Sequence, residues 1–112
     1  MIHNEADEIK LRLSDIWGVK SVTRGWPKSF ENLPCIAISK ASDTPVRFTD
    51  DKEYIAELEY YIRIFTNRVQ EADDIAAAVD EEMEKMGYTR TFAYDDDDSD
   101  VRMEAMRYRK YV

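Results

Sequence analysis

The acidic run at residues 95–100 comes closest to a chemical site in this sequence. It reads Asp95-Asp96-Asp97-Asp98-Ser99-Asp100, which offers carboxylate oxygens at alternate positions, as calcium loops do. The run lacks the glycine that gives such loops their sharp turn, and Met106 stands where a calcium loop has its bidentate glutamate. Asp and Ser also favour turns. We interpret the run as a solvated hairpin tip, with a contact to another protein or an acidic lumen as alternatives, and we expect no bound metal.

Nucleophilic and histidine-based chemistry has little material here. His3 is the only histidine; we expect it in a frayed terminus, without the neighbours that a catalytic triad or a zinc site needs. Cys35 is the only cysteine and lies in an apolar run, which predicts a small buried side chain with a raised pKa. The three glycines stand alone, so no phosphate-binding loop is present. The sequence therefore predicts no catalytic residue, no cofactor and no enzymatic activity.

A basic-aromatic cluster, RYRKY at residues 107–111, stands out because the chain is otherwise acidic. Such residues can bind nucleic acid by charge and stacking, or dock on an acidic surface of a second copy. They can also guard an edge strand against aggregation. A net charge of −8 disfavours binding to the phosphate backbones of nucleic acids, so we prefer self-association as the role of this cluster. The edge-strand interpretation stays open. The basic interaction candidates are Arg102, Arg107, Arg109 and Lys110.

Composition limits the class of protein. With 112 residues, 44% of them hydrophobic and 12% aromatic, the chain fits one folded domain, residues 1–112. The net charge disfavours anionic membranes as well as DNA. One cysteine suits a reducing compartment, and neither a signal-peptide pattern nor a long apolar run occurs. We expect an intracellular protein whose partners are other proteins.

The first half predicts a helix and two strands. Asn4 is a suitable N-cap for a helix over residues 5–17, which Gly18 would end. A short strand at 19–23 and a buried strand at 35–39 follow. The stretch 41–51 is polar and predicts a long loop with its turn at residues 42–45. The apolar stripe of the helix contains Ala6, Ile9, Leu13 and Ile16, with Trp17 beside it.

The second half opens with the strongest strand signal, at residues 53–66, whose alternation predicts one core face and one partly wet face. This strand is long enough that we expect a bulge or a projection beyond the body. A second helix follows, with Asn67 and Gln70 as a capping box and Gly87 at its end. Its apolar stripe contains Ala72, Ile75, Ala76, Val79, Met83 and Met86.

A hairpin closes the chain, and its first strand is expected to carry Tyr88, Arg90, Phe92 and Tyr94 on one face. The element order is then α-β-β-β-α-β-β. The compact arrangement of these elements is an α+β fold, with two helices packed on one face of a mostly antiparallel sheet.

The residue pattern of the second half resembles a known family. It combines EYIAELEYYIRIFTN (53–67), the helix EADDIAAAVDEEMEKMGY (71–88), a strand with Arg90 and Phe92, an acidic turn, and MEAMRYRKYV (103–112). Together with the opening helix and the strand after Pro34, this order is similar to the tail-terminator, or tail-completion, proteins of long-tailed phages and prophages.

The resemblance implies a non-enzymatic ring, usually of six subunits, that caps the tail tube and joins tail to head. The implied partners are further copies, the tail tube and neck or connector proteins, while DNA passes through without specific binding. The implied places are the host cytoplasm during assembly and the virion tail or neck. Asp43 and Arg47 in the predicted loop 41–53, and the run 95–100, are the contact or lumen candidates. The alternative is an acidic module, such as a DNA mimic, that blocks a basic partner.

Overall fold

The computed structural model describes residues 2–98 and 100–112. The predicted fold class and element order are confirmed: these residues form two helices and five strands in the order α-β-β-β-α-β-β. The sheet order is β1-β2-β3-β5-β4, and all pairings are antiparallel except that of β1 with β2. The elements are α1 (Ala6–Leu13), β1 (Ser21–Arg24), β2 (Cys35–Thr49), β3 (Lys52–Thr66), α2 (Val69–Lys85), β4 (Thr89–Asp98) and β5 (Val101–Tyr111).

The core lies between the two helices and one face of the sheet, and β3 is at its centre. The alternation predicted for this strand is confirmed, because Leu58, Tyr60, Ile62 and Ile64 are fully buried on one face. Burial of such side chains is the main favourable term in folding. Ile9 and Leu13 of α1, with Ala72, Ile75, Val79 and Met83 of α2, pack on this face as predicted.

Helix α1 ends at Leu13, four residues earlier than predicted. After Ser14 the backbone tightens into i→i−3 hydrogen bonds, from the Asp15 amide to the Arg12 carbonyl at 3.3 Å and from the Ile16 amide to the Leu13 carbonyl at 3.2 Å, which end the α-helix. The stripe therefore stops before Trp17, whose side chain is 94% exposed, so its predicted place beside the stripe is wrong.

The caps were predicted only in part. Asn4 Oδ1 accepts a hydrogen bond from the Ala6 amide at 3.1 Å, although Glu5 is the residue that flanks α1. The predicted capping box of α2 is wrong: Arg68 occupies the cap, and the Gln70 amide donates to Asp74 Oδ1 at 3.1 Å.

The polar loop predicted at 41–51 is wrong, because β2 continues to Thr49. The turn lies instead at Asp50 and Asp51, whose φ angles of 52° and 60° are left-handed and thus suit a tight hairpin. Pro45 is tolerated in this strand because β1 pairs only as far as Ile38, which leaves the outer half of β2 at the sheet edge. A strand with water on both faces needs no apolar alternation, which explains why the polar residues of 41–51 predicted a loop.

The β2–β3 hairpin projects from the body, as the length of β3 suggested. Pairing of β3 with the chain segment of β5 ends where Val112 and Ala56 exchange backbone hydrogen bonds at 2.9 Å. Beyond Ala56, towards the turn, the hairpin therefore consists of β2 and β3 alone. The molecule measures 52 × 25 × 23 Å. Two bulges lie in β2, between Lys40 and Ser42 and between Pro45 and Arg47. The register shift between Arg47 and Phe48 places its extra residue in β3, between Glu53 and Ile55, so the bulge expected in this strand is present.

The β4–β5 hairpin is longer than predicted. β4 extends to Asp98, so most of the predicted turn at 95–100 is strand; Ser99 lies outside the described residues. A bulge between Arg90 and Phe92 turns these two side chains to opposite faces, which overturns the prediction that they share one. Arg90 approaches Asp80 of α2 at 3.8 Å, and Phe92 stacks on Tyr94 on the other side of the sheet.

We expect Ile62→Ala to lower the free energy of unfolding by about 2–5 kcal/mol, because it leaves a cavity at the centre of the core. Urea unfolding followed by circular dichroism measures this difference. Glu84→Ala, on the exposed side of α2, is the control and should change stability by no more than about 0.5 kcal/mol. Equal effects of the two substitutions would contradict this description of the core.

Candidate interaction surfaces

The acidic end of the β4–β5 hairpin is partly neutralised from within. Arg102 forms ion pairs with Asp95 and Asp97, the latter at 3.2 Å, and the Arg102 side chain is only 18% exposed. Arg102 therefore belongs to the acidic end and not to a separate basic surface. Asp96 points to the opposite face of the sheet, and Asp100 is exposed in the turn.

The basic cluster at 107–111 does not form one surface, because alternate residues of β5 face opposite sides of the sheet. Arg107 forms an ion pair with the buried Glu59 on the outer face, the face away from the helices. Lys110 lies on the helix side, where its ammonium group contacts Glu5 at 3.1 Å. Arg109 stacks over Tyr111, with its guanidinium carbon 5.6 Å from the ring centroid. The edge-strand interpretation is wrong, since β5 lies between β3 and β4.

An aromatic groove crosses the outer face where β3 ends. Trp26 and Phe30, from the segment between β1 and β2, pack on Phe65 with ring centroids 5.5 and 5.0 Å apart. Trp26 is 62% exposed and Phe30 is 42% exposed, so both present apolar surface to solvent. The groove has a volume of about 410 Å³, and Val101, Met103 and Asp96 complete its lining. In the sequence, only the aromatic residues themselves indicated this groove.

The tip of the β2–β3 hairpin is the second apolar site. Phe48 is 63% exposed and Val46 is 43% exposed, and Arg47 between them is exposed as well. Arg47, one of the predicted contact residues, also lines a shallow depression with Ile55 and Tyr111. Isolated apolar side chains on a surface are normal, but a cluster at the end of a projecting hairpin is typical of a contact site.

The chain's first residues are fastened to β2, so the predicted frayed position of His3 is wrong. The His3 amide donates to Asp43 Oδ2 at 2.7 Å, and His3 Nδ1 lies 3.1 Å from Asp43 Oδ1. The Lys40 ammonium group contacts the His3 carbonyl and lies 3.5 Å from Asp43. These hydrogen bonds, led by that from the His3 backbone, hold the pKa of Asp43 below its usual range. Forty residues separate the partners, so no local pattern could have revealed the contact.

Metal-binding groups also meet at this point. The ligand atoms of His3, Asp43 and Glu53 lie within 4.8 Å of one another, a set that could hold a divalent ion. The nearby Lys40 ammonium group already supplies positive charge to Asp43, which reduces the need for a cation. The absence of a metal stays a prediction of the sequence.

Two buried tyrosines tie the helices to the sheet. The Tyr88 hydroxyl donates to Glu5 Oε1 and the Tyr108 hydroxyl donates to Asp80 Oδ1, each at 2.8 Å. Burial, reinforced by these carboxylates, raises the pKa of both tyrosines. Cys35 is buried, and burial raises the pKa of its thiol as the sequence predicted.

Comparison with known proteins identifies a structural neighbour and no family. Neither the protein-family models nor the curated proteins include a match. A chain from the solved structure described as "Virion of native gene transfer agent (GTA) particle" superposes with a TM-score of 0.68 at 15% sequence identity. The two chains share a fold. The similarity covers 93% of this chain and 90% of the neighbour. Among the described residues, neither helix has the length and apolar character to cross a bilayer.

We expect His3→Ala to raise the pKa of Asp43 part of the way towards its ordinary value, because it removes the side-chain hydrogen bond but keeps the leading one from the backbone amide of residue 3. A carboxyl whose pKa is depressed in the folded state stabilises it above the unfolded pKa of about 3.9, and this contribution is lost as the pH falls. The variant should therefore be less stable than the parent at pH 7, with the difference shrinking by pH 2. Urea unfolding at both pH values measures it, and His3→Gln is the conservative control that keeps a polar side chain. A pH-independent difference would contradict the assignment.

Proposed function

We propose that this protein is a structural subunit of a phage-like particle that acts by contact between copies. Its specific role would be that of a tail terminator or head–tail joining protein, a ring that caps the tail tube. The observation that carries the proposal is the fold, which matches a chain of a gene transfer agent virion over nearly the whole length of both chains.

The distribution of surface features supports an assembly role. A two-stranded hairpin with exposed apolar residues projects from one end, and an aromatic groove opens near the other. Heterologous contacts of this kind close into a ring when the rotation between neighbours divides the circle. The resemblance in sequence pattern favours six subunits. Further copies, the tail tube and neck or connector proteins would be the partners, in the host cytoplasm during assembly and in the virion tail or neck afterwards.

The charge of the chain suits passage of DNA without binding. A net charge of −8 repels phosphate backbones. Acidic side chains concentrate on α2, where the first turn carries Glu71 and the C-terminal third carries Asp80, Glu81 and Glu82. If this helix or the acidic end of the β4–β5 hairpin lines the lumen, DNA would slide past it with little attraction.

The chemistry of the described residues supports a role without catalysis. Cys35 is buried with a raised pKa, and His3 is engaged with Asp43. The two tyrosines with raised pKa values, Tyr88 and Tyr108, donate hydrogen bonds to Glu5 and Asp80.

An acidic binding module is the second candidate, and the carboxylates of α2 are the observation that favours it. A DNA mimic needs such groups on one continuous face. In α2, however, Asp80 bonds Tyr108 and approaches Arg90, and Lys85 contacts both Glu81 and Glu82. These contacts reduce the unpaired charge that a basic partner would meet, so we rank this function second.

We expect the protein mixed with isolated tail tubes to form a cap at one tube end in negative-stain electron micrographs. Native mass spectrometry of the released caps should give one ring stoichiometry. The protein alone is the control, because assembly proteins often associate only on their template. Neither caps nor rings under any condition, with a salt-sensitive complex on a basic DNA-binding protein instead, would favour the acidic module.

A further inference from the structure

The two exposed apolar sites lie at opposite ends of one strand. Residues Val46 and Phe48, here called the tip, stand where β3 begins, and the aromatic groove is built on Phe65 where β3 ends. At about 3.3 Å per residue, the strand separates them by roughly 40 Å. The tip therefore cannot reach the groove of its own chain, and a contact between the two requires a second copy.

We propose that the tip of one copy inserts into the aromatic groove of the next copy. This inference rests on the proposed function as a self-assembling subunit, and it names the contact that function requires. The occupant of the groove is the Phe48 side chain, which offers an aromatic ring to Trp26 and Phe30. A cavity of about 410 Å³ is large enough for one such ring with part of its neighbours.

Charges beside the two sites are complementary in both directions. Arg47 stands between the two apolar residues of the tip, and Asp96 lines the groove. Asp50 and Asp51 form the turn next to the tip. Pro27 also lines the groove, and the residue after it, Lys28, is exposed. Contact of two tips would bring Asp50 and Asp51 against their own copies, and contact of two grooves would do the same to Asp96. Head-to-tail contact is thus the favoured arrangement.

A head-to-tail contact has a defined consequence for assembly. Each copy uses its tip towards one neighbour and its groove towards the other, so the interface is heterologous and leaves both sites filled only in a closed ring or a continuing filament. A complex of just two copies would leave one tip and one groove exposed to solvent.

Disulfide trapping tests the contact directly. One chain carries Arg47→Cys and a second chain of different mass carries Asp96→Cys; Cys35 is buried and does not compete. Under mild oxidation, with isolated tail tubes present as the template, we expect this mixture to give at least roughly tenfold more heterodimer than a mixture of Arg47→Cys with Glu84→Cys, because docking raises the local thiol concentration. Glu84 is exposed on α2, away from both sites. Equal yields from the two mixtures would overturn the proposal.

A second substitution separates docking from random collision. Phe48→Glu added to the Arg47→Cys chain should reduce the heterodimer yield to that of the control pair, and Phe48→Leu should retain most of it. An unchanged yield with Phe48→Glu would overturn the insertion of the tip. Caps formed by the parent protein on tail tubes, together with equal trapping yields, would leave the proposed function intact and reject this contact alone.

Discussion

Burial of one face of β3 determines how the helices and the hairpins are arranged. Leu58, Tyr60, Ile62 and Ile64 lie between the helices and the sheet, and β3 pairs with both β2 and β5. A slip of one residue would turn these four side chains out and carry Glu59 and Arg63 into the core. The register of the central strand therefore fixes where both hairpins start and how far each extends.

Polar contacts then fix how the helices sit on that sheet. Glu5, next to α1, accepts hydrogen bonds from the Tyr88 hydroxyl and the Lys110 ammonium group. Asp80 of α2 accepts one from the Tyr108 hydroxyl. A buried hydroxyl must find an acceptor, and each of these acceptors comes from a different element. Apolar packing would allow the helices to slide, whereas these hydrogen bonds select one position.

Periodicity predicted the parts of the fold that have one dry side. The two-residue period of 53–66 and the apolar stripe of α2 predict a strand and a helix correctly, because each element buries one side and exposes the other. The prediction was wrong for the outer half of β2, because a strand with water on both faces has no apolar alternation. It was also wrong for β4, because the bulge between Arg90 and Phe92 turns these residues, which the alternation placed on one face, to opposite faces. Of the candidate site residues, the sequence identified the acids and cations but not their pairing. The pairing of Arg102 with Asp95 and that of His3 with Asp43 become visible only in the tertiary structure.

The two bulges of β2 affect how readily the exposed edge of this strand can aggregate. A straight hairpin arm exposes a row of backbone N–H and C=O groups that any passing strand can join, which is how amyloid growth begins. In β2 the bulges disrupt that row, and Pro45 removes one donor from it. These features protect the exposed edge of β2 against aggregation through strand pairing.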